Sequence, residues 1–138
     1  TISRSASDVL LDQKNNFQAF DNEEILLVMR EQALEMSTVL RTDNFKLECF
    51  GKEIDNAWYL KKKLSNKISN KIIDSAYTTG LENGALGGKL SGAGGGGFLT
   101  FFAPKTKHDK IIKSLKPLGL KPYKLNLDIN GSRIQKID

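Results

Sequence analysis

Apolar residues in the first half of the chain recur at spacings of three and four, which predicts a series of amphipathic helices. Ser5 and Asp8 have capping-box spacing and predict a short first helix, which a loop over residues 15–21 is expected to end. Three longer helices are predicted over residues 22–40, 43–64 and 69–84. Their apolar stripes are Ile25, Leu26, Met29, Ala33, Met36 and Leu40; Leu47, Phe50, Ile54, Ala57, Trp58 and Leu64; and Ile72, Ile73 and Ala76. Asp43 is the predicted cap of the second of these helices, and Gly84 ends the third.

The second half of the chain changes pattern after Gly84. A glycine-rich segment runs directly into the apolar residues 98–102, which predict a buried strand. Thr106 and Asp109 again have capping-box spacing and start a helix that Pro117 and Gly119 stop. Alternating apolar and polar residues over 123–129, followed by an Asn-Gly pair, predict a strand and a closing hairpin. The order of elements predicts an α+β fold in which helices cover one face of an antiparallel sheet.

Composition adds limits to this picture. The 138 residues are enough for one domain, of which residues 1–21 are expected to be a remnant of, or junction with, a preceding domain. Cys49 is the single cysteine, which argues against disulfides and a cysteine-based zinc site. With no long apolar run and no leader pattern at Thr1, the chain is predicted to be cytoplasmic, without a membrane partner. The net charge of +5 suggests an anionic partner, although most of the scattered lysines are expected to be solvated.

The glycines between Gly87 and Gly97 are the most unusual feature, because glycine lowers the stability of regular structure by about 1 kcal/mol per residue. Consecutive glycines with positive φ can direct backbone N–H groups at one point and hold phosphate oxygens. Lys89 and Ser91 add a charge and a hydroxyl. A tight turn packed against another backbone explains the same glycines, and both interpretations remain open.

Two familiar phosphate-binding motifs do not account for this segment. The spacing of Gly92, Gly94 and Gly97 matches the pattern G-x-G-x-x-G. In the dinucleotide-binding fingerprint, however, this pattern comes immediately before a helix, whereas here it comes before a predicted strand. The Walker pattern requires Ser or Thr directly after Lys, and Lys89 is followed by Leu90. Neither a Rossmann nor a P-loop nucleotide site is predicted.

The segment GGKLSGAGGGGFLTFF resembles the third conserved motif of the superfamily of galactokinase, homoserine kinase, mevalonate kinase and phosphomevalonate kinase. The resemblance implies a ferredoxin-like two-layer sandwich spanning 1–138, namely the carboxy-terminal domain of such a kinase. It also implies that Lys89, Ser91, Gly92, Ala93, Gly94, Gly95 and Gly96 lie beside the transferred phosphate. Three further segments resemble kinases of D-glycero-D-manno-heptose 7-phosphate, namely TISRSAS, DNAWYLKKKLSNKIS and NGSRI. The implied reaction is phosphorylation of the anomeric hydroxyl of the heptose by ATP with Mg²⁺.

The superfamily's principal nucleotide loop, Pro-x-x-x-Gly-Leu-Gly-Ser-Ser-Ala, does not occur in the sequence. The resemblance therefore implies that the amino-terminal domain is the main partner and supplies most of the ATP and Mg²⁺ site. Neither a catalytic residue nor a metal ligand is predicted in this chain, and the chain alone is expected to be inactive. A galactose- or fucose-type kinase, a non-catalytic anion-binding domain and a self-associating fragment are the alternatives. Nucleic acid is not expected as a partner, because the phenylalanines look buried.

Three basic residues are predicted to bind the phosphosugar substrate: Arg4, Lys61 and Arg133. A guanidinium matches phosphate oxygens in a bidentate manner, which favours Arg4. Arg133 follows the predicted Asn-Gly hairpin. Trp58 continues an apolar stripe and is expected in the core rather than against a sugar ring, and His108 is expected on the surface.

Overall fold

The computed structural model describes residues 6–18, 22–42, 45–123, 125 and 131. Within these residues the helices are α1 (Ala6–Gln18), α2 (Glu23–Val39), α3 (Leu47–Lys63), α4 (Lys71–Glu82) and α5 (His108–Leu115), and the strands are β1 (Gly87–Ser91) and β2 (Phe98–Phe102). Short 3-10 turns, Lys105–Lys107 and Lys116–Leu118, flank α5. No helix in the described ranges is long and apolar enough to cross a bilayer.

The two strands form an antiparallel pair in which Gly87 lies opposite Phe102 and Ser91 lies opposite Phe98. Helix α3 packs along β1, and α4 contacts both β2 and α5. The helices and this two-stranded sheet confirm the predicted α+β class.

Glycines allow this close approach of helix and strand. A Cβ on Gly87 would lie 2.9 Å from the carbonyl carbon of Gly51 in α3 and 3.0 Å from the backbone N of Asp55. A Cβ on Gly80 in α4 would lie 2.5 Å from a ring carbon of Phe101. Both helices therefore lie closer to the sheet than a side chain at either glycine would permit.

The core lies where α1, α3, α4 and β1 meet. Its cluster of buried residues is Val9, Trp58, Leu64, Ile68, Ile73, Tyr77 and Leu90. Trp58 is 1% exposed, as its position in the apolar stripe predicted. Its indole N–H is buried and has no hydrogen-bond partner within the described part of the chain.

The Tyr77 hydroxyl joins α4, α3 and β1 inside this core. It donates a hydrogen bond to Asp55 Oδ1 at 2.5 Å and accepts one from the backbone N–H of Gly88 at 3.1 Å. Burial, and then the hydrogen bond and charge of Asp55, raise the pKa of Tyr77 far above its usual range. The phenol therefore stays protonated and serves as a structural donor.

The predicted helices are present, but the first ends later than expected. Helix α1 continues to Gln18 instead of ending before residue 15. Asn16, in its last turns, donates a hydrogen bond to Leu64 O at 2.9 Å, a tertiary contact that the local pattern does not contain. The predicted caps Ser5 and Asp43 lie outside the described residues. Thr106 does not cap α5, because a 3-10 turn precedes the helix and no side chain bonds its first N–H groups.

The apolar stripe of α2 is less buried than an amphipathic pattern suggests. No residue of α2 is buried, although Ile25 and Met29 pack partly against the core. Leu26 is 39% exposed and Leu40, at the end of the stripe, is 54% exposed. The periodicity predicted the helix correctly, but it did not predict how little of the helix other elements would cover.

The phenylalanine strand was predicted to be buried, and this was wrong, because no residue of β2 is buried. Phe98 is 61% exposed and the other four residues of β2 are half-buried. Within the described ranges, β2 pairs with β1 alone, so part of the strand faces outward. The predicted strand over 123–129 and its hairpin lie almost entirely outside the described residues.

Candidate functional site

The six residues 92–97 join β1 to β2 and form the glycine loop. Its glycines take φ values that other residues rarely adopt, namely 110° at Gly92, 129° at Gly94, 72° at Gly95 and 119° at Gly97. Ala93 and Gly96 stand between them. The expectation of positive φ is therefore confirmed for four of the five glycines of the loop, and Gly96 is the exception.

The 68–70 segment between α3 and α4 fixes the middle of the glycine loop. The N–H of Gly95 donates to Ile68 O at 2.8 Å, and the side-chain amide of Asn70 donates to Gly95 O at 3.3 Å. A Cβ on Gly94 would lie 2.7 Å from Ile68 Cα, so the two backbones touch. The loop is thus both close-packed and anchored, as the structural interpretation of the glycines required.

These contacts also limit which backbone N–H groups of the glycine loop could bind a phosphate. The Gly95 N–H is bonded to Ile68 O, so this N–H cannot point at a ligand. Within the described residues, no acceptor is found for the N–H of Gly96. If the loop holds an anion, the donors must come from amides other than Gly95.

Two side chains hold the start of the loop. Lys61 Nζ, from the last turn of α3, donates to Gly92 O at 2.8 Å. Gln13 of α1 donates to Ala93 O at the longer distance of 3.4 Å. Burial, and then the positive charge of Lys89, lower the pKa of Lys61. Two ammonium groups therefore lie near the same end of the glycine loop, which favours an anion there.

Asp12 joins α1 to the segment that anchors the glycine loop. The Ser65 hydroxyl donates to Asp12 Oδ2, and Lys67 Nζ lies 3.0 Å from Asp12 Oδ1. The hydrogen bond from Ser65, and then that from Lys67, hold the pKa of Asp12 below its usual value. Asn22 also donates to Leu64 O at 2.9 Å, so residues 64–68 are fixed from several sides.

The structure brings most of the predicted site residues together. Lys89 and Ser91 are exposed on β1 next to the glycine loop, and Lys61 reaches the loop from α3. Arg4 and Arg133 lie outside the described residues. His108 is exposed and its Nε2 lies 3.1 Å from Ala103 O, in agreement with the predicted surface position.

Sequence reasoning missed the residues that anchor the loop. Asn70 carries a recognisable signal, because an Asn before an apolar helical pattern is a typical N-cap. Its side-chain oxygen does accept from the N–H groups of Ile72 and Ile73, both at 3.0 Å. Gln13 and the backbone oxygen of Ile68 carry no such signal.

The site provides features for phosphate but few for a metal ion. Backbone N–H groups at positive-φ glycines and two nearby lysines are suited to phosphate oxygens. Over the described ranges there is no group of three or more His, Cys, Asp or Glu side chains that could hold a metal.

Comparisons with known proteins agree with this arrangement. A sequence profile of the family described as "GHMP kinases C terminal" matches residues 40–118. The crystal structure of L. major mevalonate kinase in complex with R-mevalonate is similar, with a TM-score of 0.61 and 28% identity over 84% of this chain. The match covers 35% of that kinase, so the chain spans about a third of its length. No curated protein matches the chain.

Proposed function

The chain belongs to the GHMP kinase carboxy-terminal family, and we propose that it forms the carboxy-terminal part of an ATP-dependent kinase acting on a heptose 7-phosphate. The single observation that supports a phosphate-handling role is the glycine loop, with its left-handed glycines and the adjacent Lys61. The heptose assignment is supported by the similarity of the segments around Trp58 and the glycine loop to kinases of that substrate.

In this proposal the chain's residues bind and orient and do not themselves take part in bond making. The glycine loop lies beside the transferred phosphate, and its unbonded amides stabilise the charge on the phosphate oxygens. ATP and Mg²⁺ supply the phosphoryl group and neutralise its charge, with the Mg²⁺ ligands coming from another part of the protein. The described residues alone are therefore expected to give no turnover.

A mevalonate-type substrate is the second candidate, because the similar solved structure is a mevalonate kinase. A substrate panel tests both. The longer protein that contains this chain is incubated with MgATP and, separately, with D-glycero-D-manno-heptose 7-phosphate, galactose, fucose and mevalonate, and ADP release is measured. Turnover of the heptose phosphate alone supports the first candidate, and turnover of another compound reassigns the substrate. ADP release with none of them would contradict the kinase proposal for these substrates.

Lys61 is expected to contribute to binding of the substrate phosphate. In the longer protein, Lys61→Met should raise KM for the heptose 7-phosphate about tenfold, the size of one lost charge-assisted hydrogen bond. KM for ATP should change little. Steady-state kinetics check this, with Lys52→Met, an exposed residue of the same helix, as the control. A fall in kcat at unchanged KM would instead show that Lys61 only holds Gly92 in place.

A further inference from the structure

Asn70 contacts two elements at once through the two ends of its side-chain amide. Its Oδ1 accepts from the N–H groups of Ile72 and Ile73 and so caps α4. Both of these partners are donors, so they fix which end of the amide is oxygen. The Nδ2 end is thereby directed at Gly95 O, 3.3 Å away. The helix cap and the glycine loop therefore share one side chain.

The bond from Asn70 sets the direction of the peptide that follows. In a trans peptide the C=O and N–H groups point in opposite directions, and the described part of the chain contains no cis peptide. Because Gly95 O points toward Asn70, the N–H of Gly96 points away from it. The bond from Gly95 N–H to Ile68 O holds the preceding peptide in the same way. Rotation of the Gly95–Gly96 peptide is thus opposed by its own bond to Asn70 and by the fixed peptide before it.

We propose that Asn70 is a positioning residue that aims the Gly96 N–H at the anion held by the glycine loop. This inference rests on the proposed function, because the anion is the phosphate being transferred. A hydrogen bond aimed at developing charge is effective only when the donor is already fixed in direction. Glycine at 96 imposes little restriction of its own on that direction, so the constraint must come from outside the loop. Asn70 supplies it.

Asn70→Asp separates the two roles of this residue. Aspartate retains an acceptor for the Ile72 and Ile73 N–H groups and caps helices as well as asparagine does. It has no donor for Gly95 O and places a carboxylate beside that carbonyl. In the longer protein we expect a melting temperature close to that of the wild type, a kcat lower by about 10- to 100-fold, and a nearly unchanged KM for the acceptor substrate. Asn56→Asp, an exposed position on α3, controls for the change in charge.

A second measurement does not depend on catalysis. Amide hydrogen exchange of the 138-residue chain should be faster at Gly95 in Asn70→Asp than in the wild type, with the Ile72 and Ile73 amides still protected. Equal exchange at Gly95, or an Asn70→Asp enzyme with wild-type kcat, would overturn the inference. If the wild-type protein shows no kinase activity, the proposed function fails, and the exchange result alone then decides whether Asn70 orients the loop.

Discussion

Replacing Gly87 by alanine is expected to lower the free energy of unfolding by about 3 kcal/mol, the upper end for an overpacked site. The added methyl group would overlap the backbone of Gly51 and would lie 3.0 Å from the backbone N of Asp55. Backbone atoms cannot rotate away as a side-chain end can, so α3 and β1 must separate. Urea denaturation of the 138-residue chain measures the change.

Ser91→Ala is the matched control for this substitution. Ser91 lies on the same strand and is exposed, so its replacement should change the stability by less than about 0.5 kcal/mol. A Gly87→Ala chain as stable as the wild type would mean that α3 does not approach β1 as closely as described. Since Gly51 is buried against Leu86 in the same contact, Gly51→Ala should show a similar loss.

The proposed kinase function predicts that Gly94→Ala, in a protein that carries the whole active site, reduces phosphoryl transfer by about 100-fold or more, the cost of misplacing a phosphate-binding element by about 1 Å. Its Cβ would lie 2.7 Å from Ile68 Cα, and φ at this position is 129°. The loop can relieve the overlap only by moving away from its anchor, which shifts every amide that faces the phosphate. The overlap is with Ile68, a core residue, so some stability should be lost, but the loop can move away from Ile68 and the domain should remain folded.

Activity and melting temperature must be measured together to interpret this result. Gly119→Ala is the control, because Gly119 also has positive φ, at 72°, but has open space around its Cβ position and lies outside the glycine loop. Its activity should stay near that of the wild type. Unimpaired turnover in Gly94→Ala would count against a role of the loop in the reaction. A loss of turnover that merely follows global unfolding would also contradict the expected mechanism.

Local sequence patterns predicted the helices and the strand over residues 98–102 because these elements depend on neighbouring residues. The 3.6-residue periodicity located α2 and α3, and Gly84, with φ of 106°, ends α4 as predicted. Burial was harder to predict. The stripes of α2 and α3 look alike, yet Trp58 in the α3 stripe is 1% exposed and Leu26 in the α2 stripe is 39% exposed. A stripe indicates which face is apolar, but only the tertiary arrangement decides what covers it.

The same limit applies to the candidate site. The glycines and Lys89 were identified from sequence because an unusual composition needs a physical reason. The residues that anchor the loop were not identified from sequence. The hydrogen bond from the Gly95 N–H to the backbone oxygen of Ile68, for example, depends on no side chain. Asn70 was recognisable as a helix cap, but its contact with Gly95 joins positions 25 residues apart. Such a contact can be identified only when the tertiary arrangement of α3, α4 and the sheet is known.

The anchoring of the glycine loop also bears on how the chain folds. A hairpin with a tight local turn can form early, but here the turn between β1 and β2 is held by Ile68, Asn70 and Lys61, all earlier in the sequence. Contacts across such separations form slowly, because loop closure must precede them. During synthesis these anchors leave the ribosome before the loop does, so a partly folded α3–α4 unit can guide the loop into place. We therefore expect weakened anchors to accelerate unfolding more than they slow folding.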